Sequence, residues 1–182
     1  HLLSANEAQS NCINEVFEVY KDICIASYMD DKDMCYLYNK AKSLLKSNMQ
    51  YLEVGTAIGG SLLCVHYATK GNDVSLTAID PCRNEGQVVA LTQSLIEVKY
   101  ELCRDISDAV HLLIQDNSID LLLIDGWHDG EQPYNDIVNY FPKVKKSGYM
   151  LIHDCDNKHP DVYKAVSRCR ENIPFTLIDN TS

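Results

Sequence analysis

The sequence predicts an α/β protein: a doubly wound, mostly parallel sheet with helices on both faces, preceded by an N-terminal helical cap. Three observations predict it. From Tyr51 onward, short apolar runs alternate with stretches long enough for one helix each, the pattern of parallel strands joined by crossover helices. Before Tyr51 the apolar residues recur at helical spacing instead. The first strand-like run ends in the glycine-rich turn Gly55-Thr56-Ala57-Ile58-Gly59-Gly60, and Ser61 opens the next helix.

Taken in order, the segment from Asn6 to Ser47 is read as helices, with Val16, Phe17 and Tyr20 on one apolar stripe and Tyr36, Leu37, Ala41, Leu44 and Leu45 on a second. Between them, Asp30-Asp31-Lys32-Asp33 reads as a loop that N-caps the second helix, in preference to a metal site. The expected strands are Tyr51 to Val54, Val74 to Ile79, Val98 to Leu102, Ile119 to Ile124, Tyr149 to Ile152 and Phe175 to Ile178. The expected crossover helices are Ser61 to Thr69, Glu85 to Ile96, Ser107 to Gln115, Gln132 to Lys145 and Asp161 to Glu171, with Lys143, Lys145 and Lys146 decorating the end of a surface helix. No repeat, low-complexity stretch or linker divides the chain, so residues 1–182 read as a single domain, a cap over 1–48 and an α/β core over 49–182.

Composition narrows the function classes. A formal charge of −10 and a pI near 4.9 argue against nucleic acid, whose binding rests on clustered Lys and Arg. None of the eight cysteines forms a C-x-x-C pair, which argues against zinc ribbons and thioredoxin-like chemistry. Several lie in apolar runs, so a reducing, cytoplasmic setting is expected. No apolar run approaches the ~18 residues that span a bilayer, so no membrane partner is expected. The expected partner is a small molecule, and homodimerisation is compatible with such a domain.

Open parallel sheets bind ligands outside the carboxyl ends of their strands, and that is where the chemistry-bearing residues fall. Gly55 and Gly59 turn the backbone sharply, but their spacing does not fit G-x-G-x-x-G, and no Gly-Lys-Ser/Thr of a P-loop is present. Glu53 would repel a pyrophosphate and suits a ligand carrying an ammonium or sulfonium charge, unless it only bonds loop amides. Asp80 closes the second strand, where a ribose would lie, a device that nicotinamide folds share. Asp105 and Ser107 follow the third strand and either reach an adenine edge or cap the next helix. Asp125 and Asp154 close the fourth and fifth strands, close enough to converge on one hard cation. His66 and His111 lie in helical runs and read as structural.

The loop Leu52-Glu53-Val54-Gly55-Thr56-Ala57-Ile58-Gly59-Gly60-Ser61, with Asp80, Ile124-Asp125-Gly126-Trp127-His128 and Gly148-Tyr149-Met150-Leu151-Ile152-His153-Asp154, resembles the class I S-adenosylmethionine-dependent methyltransferases. More narrowly it is similar to the metal-dependent O-methyltransferase group that includes catechol O-methyltransferase, macrolide sugar O-methyltransferases and cephalosporin-hydroxylase-like proteins. The resemblance runs from about Tyr51 to Ile178. It implies S-adenosylmethionine held by Glu53, Gly55, Thr56, Gly59, Ser61, Asp80, Asp105, Ser107 and Asp125, a divalent cation such as magnesium on Asp125 and Asp154, and His128 as general base with Asp125 beside it in the catalytic set. His153, a candidate third ligand, stands where several relatives carry a second acidic ligand, and imidazole suits softer metals, so zinc, manganese or iron, or no metal at all, are alternatives to magnesium. Cys155 stands where catechol-type enzymes offer an amide, and the chain stops at Ser182, before the antiparallel seventh strand usual in this fold.

The implied activity is O-methylation of a small hydroxylated molecule such as a sugar, phenol or polyketide. The alternatives are a nucleoside-cofactor-binding accessory protein without methyl transfer and a nicotinamide-dependent oxidoreductase, the latter disfavoured by the loop spacing. Tyr28, Tyr36, Tyr38, Trp127 and Tyr134 are candidate aromatic walls for the acceptor, or packing residues.

Overall fold

The computed structural model describes residues 29–81 and 100–175. Helix α1 (Asp31–Ser43) is capped from the expected run but takes in three of the four residues read as loop: Asp30 stands outside the helix with its carboxylate accepting the Asp33 amide at 2.9 Å, and Asp31 and Asp33 occupy the first turn, complementing the helix dipole. There follow β1 (Met49–Val54), α2 (Gly60–Thr69), β2 (Val74–Ile79), β3 (Tyr100–Cys103), the single turn α3 (Ser107–Val110), β4 (Ile119–Ile124), α4 (Gln132–Tyr140), β5 (Val144–Ile152) and α5 (Pro160–Asn172). The strands form one sheet in the order β3-β2-β1-β4-β5, and every pairing is parallel. The order reverses between β1 and β4, which opens the crevice where this class of sheet receives ligands.

Alternation along each strand divides the core. Tyr51, Leu76, Ala78, Leu121 and Leu123 face α1 and α2, meeting Met34, Leu37, Tyr38, Ala41, Leu63 and Val65. Leu52, Val54, Ile79, Leu122 and Ile124 face the other way, toward Val110 of α3, Ile137 and Tyr140 of α4, and Ala165 and Cys169 of α5. Every residue of β4 is buried, as a central parallel strand requires. Each fully buried Leu or Ile there stabilises the fold by about 1.5–3 kcal/mol. The one charge in that strand, Asp120, lies at its amino end and accepts from Lys46 Nζ at 2.5 Å, Lys145 Nζ at 2.8 Å and the Gln50 amide at 2.9 Å. Burial alone would raise its pKa, but those hydrogen bonds outweigh it and lower the pKa.

Two expectations are corrected. The helix expected over Gln132 to Lys145 ends at Tyr140, because Pro142 supports only a short 3₁₀ turn over Phe141–Lys143 and the chain then enters β5 at Val144. Lys145 and Lys146 are therefore strand residues, and the pairing of β4 with β5 slips between Ile119 and Leu121. Gly148 packs over that slip, where a Cβ would stand 2.9 Å from the carbonyl oxygens of Ile119 and Asp120. The helix expected over Ser107 to Gln115 shortens to one turn plus a 3₁₀ turn over His111–Leu113, leaving Leu112 and Leu113 exposed. The expected helix Glu85 to Ile96 and the stretch from Thr176 to Ile178 lie outside the described residues, as do Asn6 to Tyr28.

Candidate active site

Beyond the last ladder pairs, hydrogen bonds continue from strand to strand across the carboxyl edge. The Asp80 amide donates to Cys103 O at 3.1 Å, Gly55 to Ile79 O at 2.8 Å, Asp125 to Val54 O at 2.8 Å and His153 to Ile124 O at 3.0 Å. Residues widely separated in sequence are thereby fixed side by side. At the crevice itself Gly55 (φ +84°) lies so close to the fourth strand's exit that a Cβ would stand 2.1 Å from Asp125 O. Its glycine is thus required by backbone packing as well as by the left-handed turn. Gly59 (φ +86°) ends the turn as the N-cap of α2.

Glu53 and Tyr51 lie two residues apart on one face of β1, and the Tyr51 hydroxyl donates to Glu53 Oε2 at 2.6 Å. Glu53 is fully buried, and its Oε1 has no hydrogen-bond partner among the described residues; nor does the Thr56 hydroxyl. Burial raises the Glu53 pKa to about 7, against the opposing effect of the nearby Thr56, Tyr51 and Ser61 hydroxyls, and burial raises Tyr51 well above its ordinary value. Asp80, also buried, accepts the amides of Thr56 at 3.1 Å and Ala57 at 2.8 Å on Oδ2, so it shapes the turn. Ser61 is buried in the first turn of α2.

A second group gathers at the ends of β4 and β5. His153 Nδ1 stands 3.0 Å from Asp125 Oδ1 and 3.2 Å from Asp154 Oδ2, while its Nε2 stands 3.3 Å from Asp33 Oδ2 on α1. His128 Nε2 lies 3.2 Å from Asp154 Oδ2 and 3.5 Å from Asp125 Oδ1, buried and without a hydrogen bond of proper geometry. His159 Nδ1 is 3.6 Å from Asp154 Oδ1 and 3.2 Å from Asp156 Oδ1, and its ring centre lies 5.0 Å from that of His128. Asp154 holds its place with a left-handed backbone, φ +54°. Burial tends to raise the Asp125 pKa, but the adjacent His128 and His153 rings lower it on balance. For His153 burial acts downward and is outweighed by Asp125, Asp154 and Asp33, which bring it to about 9; His128 is raised chiefly by its interaction with Asp125.

Residues 52–155 match the family model described as a methyltransferase domain, the span that runs from the glycine-rich turn to the His153-Asp154 pair. The chain belongs to this methyltransferase-domain family. An uncharacterised protein of Acanthamoeba polyphaga mimivirus is 29% identical over 148 residues, 75% of this chain and 66% of that relative, so the match spans just under two thirds of the relative's length. Among solved structures, a Podospora anserina methyltransferase bound to S-adenosylhomocysteine superposes with a TM-score of 0.67 at 13% identity, covering 96% of this chain and 89% of that one. The Streptomyces achromogenes O-methyltransferase TomG, in complex with S-adenosylmethionine, gives 0.56 at 18% identity over 93% and 78%. At such identities these likenesses establish the methyltransferase fold.

Within this methyltransferase domain the expected residues divide into two groups. Glu53, Gly55, Thr56, Gly59, Ser61 and Asp80 surround the turn after β1, and Asp125, His128, His153 and Asp154 form the second cluster. Ser107 instead packs between helices, donating to Asp136 Oδ1 at 2.5 Å while its carbonyl accepts the Tyr140 hydroxyl at 2.8 Å. Asp105 accepts the adjacent Ile106 amide, and no side chain caps α3. Trp127 is 69% exposed, whereas Tyr38 is core. Three participants escaped sequence reasoning: Tyr51, whose i, i+2 position to Glu53 was the available signal, His159, five residues after Asp154, and Asp33, which nothing in the sequence ties to β5.

The donor chemistry fits both groups that the sequence resemblance implies. A buried, partnerless carboxylate oxygen on Glu53 suits a positively charged ligand beside a glycine turn. Asp125, His153 and Asp154 offer ligand atoms within 4.8 Å of one another, as do His128, Asp154 and His159, spacing compatible with cation binding.

Proposed function

We propose that the protein is an S-adenosylmethionine-dependent methyltransferase that methylates a hydroxyl oxygen of a small molecule with the help of a divalent cation, in a reducing, cytoplasmic compartment. The observation that supports it most is the adjacency of the Glu53 turn and the Asp125-His128-His153-Asp154 cluster across the β1/β4 crevice, joined by the Asp125 amide on Val54 O. Among the described residues no two cysteines form a disulfide, and no helix is long and apolar enough to cross a membrane.

S-adenosylmethionine supplies an electrophilic methyl on a sulfonium, and the divalent cation supplies Lewis acidity toward the acceptor hydroxyl. Glu53 would stabilise the positive end of the cofactor, and Asp80, which shapes the turn, would serve the ribose. Asp125, His153 and Asp154 would hold the cation. His128, beside the same two carboxylates, would take the proton that the acceptor hydroxyl gives up on methyl transfer.

Thermal shift with S-adenosylmethionine, S-adenosylhomocysteine and NAD tests the cofactor, with stabilisation expected from the first two only. Turnover with a panel of sugar, phenol and polyketide acceptors then separates a methyltransferase from an accessory protein that only binds the nucleoside. Binding without turnover across the panel would favour the latter.

A further inference from the structure

The neighbours of His153 specify how its ring is used. A neutral imidazole carries one proton. Asp33 Oδ2, reaching from the first turn of α1, lies 3.3 Å from Nε2 and is positioned to hold the proton there. That leaves the Nδ1 lone pair directed at the oxygens of Asp125 and Asp154, 3.0 and 3.2 Å away. A carboxylate on one ring nitrogen with the other turned toward acidic ligands is the arrangement by which proteins fix the tautomer and direction of a metal-binding histidine. Magnesium is served by oxygen ligands in octahedral array, whereas imidazole nitrogen favours borderline transition cations. His159 adds a second nitrogen near Asp154 Oδ1 at 3.6 Å.

We propose that this centre takes a borderline divalent transition cation, of the manganese, cobalt or zinc type, in preference to magnesium, with His153 Nδ1 as a ligand and Asp33 as the positioning residue that holds it. The inference rests on the metal centre proposed above and adds the nature of the ion and a contribution from α1. The alternative is an imidazolium clamped by three carboxylates, with no nitrogen available to a metal.

The test uses the full chain with manganese(II), read by pulsed EPR for coupling to ligand ¹⁴N and by calorimetric competition with magnesium. Nitrogen coupling is expected in the unmodified protein. It should diminish in His153→Asn, and the preference for manganese over magnesium should fall there by about 10- to 100-fold. Asp33→Asn should weaken manganese binding by about 10- to 100-fold, with Asp33→Glu restoring part of it. Absence of manganese binding, binding without nitrogen coupling, or coupling unchanged in His153→Asn would each overturn the proposal. S-adenosylhomocysteine affinity, measured on the same samples, reports separately: its retention shows that the variants are folded, and its absence in the unmodified protein would count against the methyltransferase reading instead.

Discussion

The Asp80 carboxylate, at the end of β2, accepts the Ala57 amide of the neighbouring turn at 2.8 Å. With the Thr56 amide on the same oxygen, this carboxylate braces the loop after β1. Asp80→Ala should therefore do two things at once. It should weaken S-adenosylhomocysteine binding by about 1–3 kcal/mol in calorimetry and lower the melting temperature, since two amides lose a charged acceptor. A variant that melts normally and binds normally would remove Asp80 from both roles.

Glu53 gives a pH dependence with a defined sign. Its folded pKa of about 7 exceeds the ordinary 4.5, so the folded state holds the proton more tightly than the unfolded chain. The stability Glu53 contributes is complete below about pH 4.5 and is lost as pH rises through 7, by an amount on the order of 3 kcal/mol. Glu53→Gln should therefore flatten the decline in unfolding free energy between pH 5 and pH 8, measured by urea titration at each pH, at about those limits. Affinity for the sulfonium cofactor should show the reverse trend in the unmodified protein, strengthening as Glu53 ionises. Parallel stability curves for variant and parent would refute the assignment.

Two glycines with the same φ of +84° make a controlled pair. Gly71→Ala meets nothing within 4 Å and should cost about 1 kcal/mol, the backbone strain alone. Gly55→Ala adds a clash with the Asp125 carbonyl and should cost several times more, seen as a collapse of soluble yield or a large drop in melting temperature. Equal melting temperatures for the two variants would show that the strands can move apart there.

Turnover should depend on His128 while cofactor binding does not. His128→Ala is expected to lower kcat by about 10²- to 10⁴-fold with S-adenosylhomocysteine affinity unchanged. Near-normal turnover at saturating metal would exclude the base role, and a loss cured by more metal would make His128 a ligand.

The strand-end positions were readable because alternation and run length place β1, β2 and β4 within one or two residues, and a doubly wound sheet then sends Glu53, Asp80 and Asp125 to a common edge. What could not be read depends on packing between distant elements. Local periodicity carried the α4 helix past Tyr140 because it gave too little weight to Pro142, and it ran the helix from Ser107 through Leu112 and Leu113, which lie in a 3₁₀ turn and face solvent. The DDKD run was rightly a cap at Asp30, yet the same run also supplies Asp33 to a histidine 120 residues away, a contact visible only once α1 lies across the sheet. Ser107 read as a ligand contact or a cap, and nothing in the sequence signalled that its hydroxyl bonds Asp136 and its carbonyl accepts from Tyr140.

The segment that defines the family runs from residue 52 to 155, and Asp33 lies outside it. If His153 holds the proposed cation, substitutions in α1 would retune that centre while every residue of the shared motif stays the same. Descendants of such a chain could then diverge in metal preference without any mark in the region by which their kinship is recognised.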